Sequence, residues 1–279
     1  MSTSIYKTTA QVTFFSTVEK TLSFIYRIAL SRMIGAEGLG IYQIALSVFS
    51  VLLTAASSGV PVTVSRLITK QNALGNTAGR SAVVTAGIVS TLIFTVPAVA
   101  LIFGGQKIFG LLFSDERCLE VFLIILPGLI LTSVYSVMRG AFWGDRQFMP
   151  YSLIELAEDA LMVGLGCILV AGAAGAADGA RRAAVAVFVS YVFSFAVSLF
   201  WYFKKGGRLV NPSKQLKPLL SSSLPVTAMR TATSLLNSLV AVLMPFLLVK
   251  MCRYTDSEAV SLYGAAAGMA VPIPFIPSS

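Results

Sequence analysis

Apolar residues in this sequence fall into long blocks of roughly 20 or more residues, separated by short polar segments. A helix needs about 20 apolar residues to cross the hydrocarbon core of a bilayer, whereas buried strands are much shorter. Only 12% of the residues are charged, about half the share in soluble domains. Mean hydropathy is +0.82. The pattern predicts an all-α polytopic membrane protein.

The blocks predict about eight transmembrane helices. The second and the seventh candidate spans are long enough to tilt or kink. Each contains a proline, Pro61 and Pro225, which interrupts the backbone hydrogen bonds and bends a helix. The spans are Val12–Met33, Ile41–Ile68, Ser81–Gly104, Leu119–Ala141, Tyr151–Ala174, Ala183–Phe203, Leu219–Val249 and Val260–Ser279.

The charges between the spans predict the orientation. An excess of lysine and arginine marks the cytoplasmic side. With the N-terminus inside, acids dilute the basic residues of the outer segments, and Arg181 and Arg182 are the exceptions. We therefore expect a cytoplasmic N-terminus, and the loops, not nucleic-acid binding, account for most of the net charge of +9. The inner basic residues are Lys70, Arg80, Arg146, Lys204, Lys205, Arg208, Lys214 and Lys217.

Residues that catalyse reactions or bind metals are scarce. The sequence has no histidine, the commonest general base and metal ligand at neutral pH. Its three cysteines are scattered, with Cys118 and Cys252 in outer segments and Cys167 in the fifth span. No nucleophile–base pair, metal-ligand cluster or phosphate-binding loop is visible. The sequence therefore predicts neither an enzyme nor a bound cofactor or metal.

One face of the first span is cationic and rich in hydroxyl groups. Its residues recur at spacings of four, three, four and four, which places them on one side of a helix. Ionisable groups inside a membrane are costly and are functional candidates. We expect this stripe to line a water-filled cavity. The alternative is that Lys20 snorkels or pairs with an acid such as Glu19. The stripe consists of Ser16, Lys20, Ser23, Arg27 and Ser31.

Three acids, Glu155, Glu158 and Asp159, share one face of the fifth span. One interpretation is a cation or proton site coupled to transport. The other is structural: acids in the first turns of a helix interact with the positive end of its dipole. The acids also have arginines close in sequence, Arg139 and Arg146, with which they can pair.

Two further arginines lie near or within predicted spans. Arg139 ends the fourth span beside Gly140, and Arg230 lies about eleven residues into the seventh span, too deep for an interfacial anchor. Cationic side chains that face a membrane cavity suit an anionic ligand. A short segment also recurs: residues 57–63, followed by Arg66, resemble residues 221–227, followed by Arg230. Internal repeats are common in transporters.

Several motifs resemble those of the polysaccharide flippase group of the multidrug/oligosaccharidyl-lipid/polysaccharide exporter superfamily, and above all the stage V sporulation protein B family. The resemblance runs from about residue 5 to the end. It is carried by Arg27-Ile-Ala-Leu-Ser-Arg32-Met-Ile-Gly35-Ala-Glu37-Gly38-Leu-Gly40-Ile-Tyr42, Gly59-Val-Pro61-Val-Thr-Val-Ser-Arg66-Leu, Arg139-Gly140-Ala-Phe-Trp-Gly144, Leu224-Pro225, Tyr263-Gly264 and Gly268-Met269-Ala-Val-Pro272.

The resemblance implies an exporter of roughly fourteen helices, in two six-helix lobes and an extra pair, around a cavity that opens alternately to each side. This chain would supply the first lobe, residues 1–203, and a basic cytoplasmic linker, residues 204–218. Residues 219–279 would form the first two helices of a truncated second lobe. The implied substrates are undecaprenyl-diphosphate-linked sugars such as lipid II, moved across the bacterial cytoplasmic membrane, in some members for the spore cortex.

The leading hypothesis is therefore a lipid-linked sugar flippase that contacts membrane lipid and no nucleic acid. A C-terminal half or cell-wall synthesis proteins are expected partners. A cation-coupled multidrug exporter, expected to have acids and not arginines in its cavity, is one alternative, and a non-transporting scaffold for cell-wall enzymes is another. Candidate headgroup-binding residues are Lys20, Arg27, Arg32, Arg66, Arg139 and Arg230, and candidate ion-coupling residues are Glu155, Glu158 and Asp159.

Overall fold

Helices make up all of the regular secondary structure in the described part of the chain. The computed structural model describes residues 2–270, apart from the side chains of residues 2–5, 7, 8, 237 and 268–270. The predicted all-α class is confirmed. The helices are α1 (Ser2–Ser57), α2 (Val60–Ala73), α3 (Thr77–Gly104), α4 (Gln106–Gly110), α5 (Glu116–Ile125), α6 (Gly128–Gly144), α7 (Phe148–Ala171), α8 (Ala176–Lys204), α9 (Ser213–Cys252) and α10 (Asp256–Tyr263), which a π-helical segment, Gly264–Ala270, continues.

The first two predicted spans share one long element, which turns sharply at Gly35. This residue has φ 71° and ψ −178°, a conformation that favours glycine because it has no Cβ. A second interruption separates α1 from α2 at Ser58 and Gly59, next to the proline at the start of α2. The predicted kink near Pro61 is therefore present. By contrast, α9 continues as one helix through Pro225.

The fourth predicted span, Leu119–Ala141, is two helices and not one. Helices α5 and α6 meet at an angle of 44°. The break falls at Leu126 and Pro127, where the proline ring cannot donate a backbone hydrogen bond and clashes with the preceding turn. The sequence contained this proline, but the apolar pattern runs through it without interruption.

The predicted number of eight spans is not confirmed. Among the described residues, four helical stretches are long and apolar enough to cross a membrane, or up to five if the bent pair α5 and α6 is one span. One of the four, Thr9–Ala73, holds both of the first two predicted spans. Helix α7 is not among the four because it has three acids within five positions. The predicted eighth span extends into residues 271–279, which lie outside the described part.

The apolar core forms two clusters that join helices distant in sequence. Leu30, Phe49 and Phe122 belong to the first cluster, which ties α1 to α5 and α8. Val64 and Met138 belong to the second, which ties α2 and α3 to α6. Many large apolar side chains point outward, as expected where lipid replaces water. Examples are Leu101, Ile168, Phe200 and Leu247.

The predicted linker, residues 204–218, is partly helical. Helix α8 ends at Lys204, and α9 already begins at Ser213, whose backbone N–H donates to Oδ1 of Asn211 over 3.0 Å. This local side-chain to backbone hydrogen bond lies where the helix begins, before the apolar block starts. The segment between the two helices is tied to the bundle by a hydrogen bond from the backbone N–H of Val210 to Oγ1 of Thr85, 3.2 Å long.

The two copies of the recurring segment lie against each other where α9 crosses the start of α2. The backbone N–H of Gly59 donates to Oγ1 of Thr227 over 3.1 Å. Nη1 of Arg230 donates to the carbonyl oxygen of Ser58 over 3.3 Å. A Cβ at Gly59 would lie 2.4 Å from the carbonyl oxygen of Ser223, so this crossing requires a glycine. The similarity between residues 57–63 and 221–227 thus marks a contact surface.

Candidate functional site

A cavity of about 380 Å³ lies inside the helix bundle and is lined by charged and polar side chains. We call it the charged cavity. Helices α1, α2, α6, α7, α8 and α9 contribute its walls. The lining residues are Glu19, Leu53, Thr54, Ser57, Ser58, Pro61, Val62, Thr132, Tyr135, Ser136, Arg139, Trp143, Glu155, Glu158, Asp159, Tyr191 and Arg230.

Acids outnumber arginines in the charged cavity. Three of its four carboxylates are the acids predicted on the fifth span, Glu155, Glu158 and Asp159, and all three line the wall. The fourth belongs to Glu19, which the sequence suggested only as a partner for Lys20. Of the six arginines and lysines predicted to bind an anionic headgroup, the cavity contains two, Arg139 and Arg230.

The other four predicted basic residues lie outside this cavity. Lys20, Arg32 and Arg66 are exposed, and Arg27 is half-buried. The guanidinium of Arg27 is within electrostatic range of Tyr42, in the part of α1 that follows Gly35. The cationic stripe of the first span therefore follows one side of α1, while Glu19 faces the charged cavity from another. Neighbouring positions on a helix point about 100° apart, which explains the separation.

Arg139 is held firmly at the cavity wall. Its Nη2 lies 3.1 Å from Oε1 of Glu155. Its guanidinium carbon lies 5.7 Å from the ring centroid of Tyr135 and 5.7 Å from that of Tyr151, so two aromatic faces flank the charge. The sequence left Arg139 open as a partner for the acids, and the structure makes that pair with Glu155.

The helix-dipole explanation for the acids of the fifth span is wrong. Helix α7 begins at Phe148 and has no acid in its first turn. Glu155 lies two turns inside the helix, beyond the reach of the terminal charge. Glu158 and Asp159 lie still deeper, and in the described part of the chain neither forms an ion pair. The hydroxyl of Ser194 faces Glu158 and offsets part of the cost of burying that carboxylate, and protons or cations can offset the rest.

Several polar groups in the charged cavity have no partner among the described residues. They are the hydroxyls of Tyr135 and Ser58 and the Nε of Arg139. Other hydroxyls of the wall are satisfied by their own helix. Oγ1 of Thr132 donates to the carbonyl oxygen of Gly128 over 2.8 Å, for example. The three unpartnered atoms have almost no accessible surface, so they lie behind the surface of the cavity, whereas Glu158 and Asp159 line it without an ion pair among the described residues.

A second charged group, missed by the sequence analysis, joins three elements at the end of the bundle predicted to face outward. Oε1 of Glu37 accepts a hydrogen bond from Nη1 of Arg117 over 2.7 Å and another from Oγ of Ser257 over 2.6 Å. Arg117 also contacts Asp115, with Nη2 2.6 Å from Oδ2. The hydrogen bonds that Arg117 donates, to Asp115 above all, raise its pKa. The turn of α1 is thereby fixed to the beginnings of α5 and α10.

The two arginines that argued against the predicted orientation are both paired with acids. Arg181 forms an ion pair with Glu120, and Nε of Arg182 lies 2.9 Å from Oδ2 of Asp178. A backbone hydrogen bond from Ala174, followed by the charge of Arg182, lowers the pKa of Asp178. These pairs neutralise the positive charge of the segment before α8, so they weaken its effect on orientation.

At the opposite end of the bundle, Asp145 connects α2, α3 and α6. Nε of Arg80 donates to Oδ1 of Asp145 over 3.0 Å, and Nδ2 of Asn72 donates to the same oxygen over 3.0 Å. Nearby, Nζ of Lys205 donates to Oε1 of Gln147 over 2.9 Å. This network organises the ends of the helices and lies apart from the charged cavity.

Apolar helices packed around a charged interior cavity define a polytopic membrane protein, and comparison with solved structures identifies its fold. An outward-facing multidrug resistance MATE family transporter of the MOP superfamily matches with a TM-score of 0.71, over 98% of this chain and 61% of that chain. The two sequences are 18% identical, so the likeness is one of fold.

The family profile described as "Polysaccharide biosynthesis protein" matches residues 5–277, and the chain belongs to this family. Stage V sporulation protein B of Bacillus subtilis is 26% identical over 230 residues, which are 76% of this chain and 43% of that protein. Lipid II flippase MurJ of Bacillus subtilis is 24% identical over 174 residues, 58% of this chain and 32% of that protein. The chain thus spans less than half the length of these relatives.

Proposed function

We propose that this chain is part of a flippase that moves polyprenyl-diphosphate-linked sugars across the bacterial cytoplasmic membrane by alternating access. The observation that carries the proposal is the sequence likeness to a sporulation protein and a lipid II flippase of the same family. The exporter fold and the polar interior support it. A diphosphate cannot cross hydrocarbon unaided, so the protein must replace its water with charged and polar groups.

Four basic side chains of α1 and α2 that lie outside the charged cavity suit the diphosphate. Guanidinium groups bind phosphate oxygens through two parallel hydrogen bonds, and ammonium groups supply charge. These side chains lie outside the charged cavity, on surfaces that the described residues leave open, so a headgroup can reach them. We assign this role to Lys20, Arg27, Arg32 and Arg66. Arg139 and Arg230 then face the substrate from the cavity side.

The acids of the charged cavity are the proposed ion-coupling groups. Glu155 already has Arg139 as its partner, which leaves Glu158 and Asp159 to take up a cation or a proton. Glu19 faces the same space from α1. Binding of a cation there would connect α1 to α7, and release of the cation would weaken that contact. Alternating access requires contacts that differ in this way between two states.

Complementation tests this proposal. The chain is expressed in a flippase-deficient strain together with the C-terminal part of the sporulation relative that it does not cover. Arg27→Ala should abolish rescue without lowering the amount of protein in the membrane. Arg27→Lys should rescue in part, because the charge remains but the two-pronged hydrogen bonding is lost.

The matched control is Arg181→Ala, which removes an arginine of an exposed ion pair. It should rescue like the unchanged chain, since exposed pairs contribute about 0–1 kcal/mol. Full rescue by Arg27→Ala would refute the headgroup assignment. If variants of both Arg27 and Glu158 rescue the strain fully, the hypothesis of a non-transporting scaffold for cell-wall enzymes is favoured.

A cation-coupled multidrug exporter remains a second candidate because of one observation. Four carboxylates face two arginines in the charged cavity, the balance expected for a cationic substrate. The same flippase-deficient strain distinguishes the drug exporter from the flippase. Drug resistance without rescue of cell-wall synthesis identifies an exporter, and rescue without resistance identifies a flippase.

A further inference from the structure

Five basic side chains lie on or beside the segment that connects α8 to α9, and all five are exposed. We call them the linker cluster. In the described part of the chain, none of them forms an ion pair. The members are Lys204, Lys205, Arg208, Lys214 and Lys217.

No acid of its own segment neutralises the linker cluster, since residues 179–255 contain no aspartate or glutamate. At the same end of the bundle, Asp145 is already held by Arg80, and Lys205 donates to the neutral amide of Gln147. By contrast, three arginines at the opposite end each contact an acid. Uncompensated like charges repel one another, so the cluster favours an anionic partner.

The backbone beneath the linker cluster is fixed. The hydroxyl of Tyr202, a residue only 3% exposed, donates to the carbonyl oxygen of Arg208 over 3.2 Å. A Cβ at Gly207 would lie 2.5 Å from the ring of Tyr202, so the linker runs directly over this side chain. A basic segment sets orientation by its charge alone and needs no fixed backbone for that. Here the charges are positioned in advance, as in a binding site.

Exposed apolar side chains lie next to these charges. Phe200, Phe203 and Leu209 are all exposed. Nζ of Lys204 lies 5.9 Å from the ring centroid of Phe200, so its stem follows an apolar surface while its charge lies at the end of α8. Apolar groups followed by ammonium groups match the order of acyl chain and phosphate in a lipid leaflet. RNA does not match this order, because the two phenylalanines lie on a helix apolar enough to cross a membrane.

We propose that the linker cluster binds the phosphodiester headgroups of anionic phospholipids, such as phosphatidylglycerol, and thereby holds the linker on the membrane surface. Clusters of four to eight basic residues directly beside a transmembrane helix are typical of such contacts. The ammonium groups supply charge, and the guanidinium of Arg208 can hold two phosphate oxygens at once. None of the five residues lines the charged cavity or belongs to those assigned to the diphosphate of the substrate, so the inference does not depend on the proposed function.

Quenching of tryptophan fluorescence by brominated lipids tests the site directly. Trp143→Phe leaves Trp201, whose ring centroid lies 5.6 Å from Nζ of Lys205, as the only tryptophan. This parent is reconstituted in phosphatidylcholine bilayers with a rising share of dibrominated phosphatidylglycerol, and separately of dibrominated phosphatidylcholine. The two quenching curves give the relative affinity for the anionic lipid near Trp201. We expect a preference of at least about 5-fold, the effect of one basic residue near an anionic surface.

Two triple variants of this parent remove the same charge from opposite ends of the bundle. In the linker variant the preference should vanish, so that the two brominated lipids quench equally. In the control variant, whose three residues are also exposed, the preference should stay as in the parent. The linker variant carries Lys204→Gln, Lys205→Gln and Arg208→Gln. The control variant carries Lys107→Gln, Lys250→Gln and Arg253→Gln.

Full preference in the linker variant, or an equal loss in both variants, overturns the proposal. So does a preference that sodium pyrophosphate abolishes while sodium chloride of equal ionic strength does not, because this result assigns the cluster to a diphosphate ligand. If Trp143→Phe folds poorly, the same triple variants are made in the unchanged chain and melted in detergent. Phosphatidylglycerol, compared with phosphatidylcholine, should then raise the melting temperature of the unchanged chain and the control variant, and not that of the linker variant.

Discussion

Replacement of Gly40 by alanine should destabilise the contact between α1 and α10. A Cβ at Gly40 would lie 2.2 Å from the carbonyl oxygen of Val260 and 2.9 Å from its Cγ1. On the other side of the contact, a Cβ at Gly264 would lie 2.0 Å from the carbonyl oxygen of Ala36. Backbone forms both sides, so no rotamer change relieves the clash, and the two elements must move apart by roughly 1 Å.

The expected cost comes from overpacking, which is about 1–3 kcal/mol in a well-packed interior. Alanine also gains helix propensity over glycine, and a control variant must cancel that gain. Gly164→Ala, inside α7, does so because nothing lies within 4 Å of the added Cβ. At about 2–4 °C per kcal/mol for a chain of this size, Gly40→Ala should melt about 2–12 °C below Gly164→Ala.

Thermal stability is measured on purified protein by heating followed by size-exclusion chromatography. Each variant is compared with the unchanged chain in the same detergent, because detergent alone shifts the melting temperature. If Gly40→Ala and Gly164→Ala melt at the same temperature, the close approach of α1 to Val260 is not what Gly40 provides, and the packing argument fails.

Two further predictions concern the predicted outer end of the bundle. Glu37→Gln should lower the melting temperature by about 1–3 °C. The hydrogen bond from Arg117 loses the carboxylate charge, while the hydrogen bond from Ser257 can persist. An unchanged melting temperature contradicts this prediction. If the N-terminus is cytoplasmic, a membrane-impermeant maleimide applied to intact cells should label Cys252, which is exposed. It should not label Cys118, which is 1% exposed. Labelling of Cys252 only after lysis would indicate the opposite orientation.

The sequence revealed the family signature in the first span, but it did not reveal the structural role of each residue in that signature. The segment Gly35-Ala-Glu37-Gly38-Leu-Gly40 is part of the resemblance to the flippase family. The sequence alone did not explain why these residues occur there. Gly35 adopts the positive φ of the turn, and Gly38 and Gly40 allow Ala176 and Val260 to approach. Glu37 joins three elements. Each role depends on partners at least 80 positions away in sequence, except the turn itself.

Periodicity predicted which residues share a face, but not which face another helix covers. The stripe containing Lys20 and Arg27 does follow one side of α1. Whether that side or the one bearing Glu19 meets the cavity depends on how α7 packs on α1, and local spacing contains no such information. The predicted start of the fifth span was a few residues late, and this shift was enough to make the dipole explanation for Glu155 look reasonable.

Helix α1 separates two chemistries that the proposed substrate also separates. Glu19 lines the charged cavity together with three other acids, and the next residue, Lys20, is exposed on the cationic side. A lipid-linked sugar carries an anionic diphosphate joined directly to a polyhydroxyl ring. A single helix with an acidic and a basic side can therefore present the basic side to the diphosphate, with like charges kept apart by the helix itself. This division explains why the acids of the charged cavity need not exclude an anionic substrate, since the diphosphate does not have to enter the space that they line.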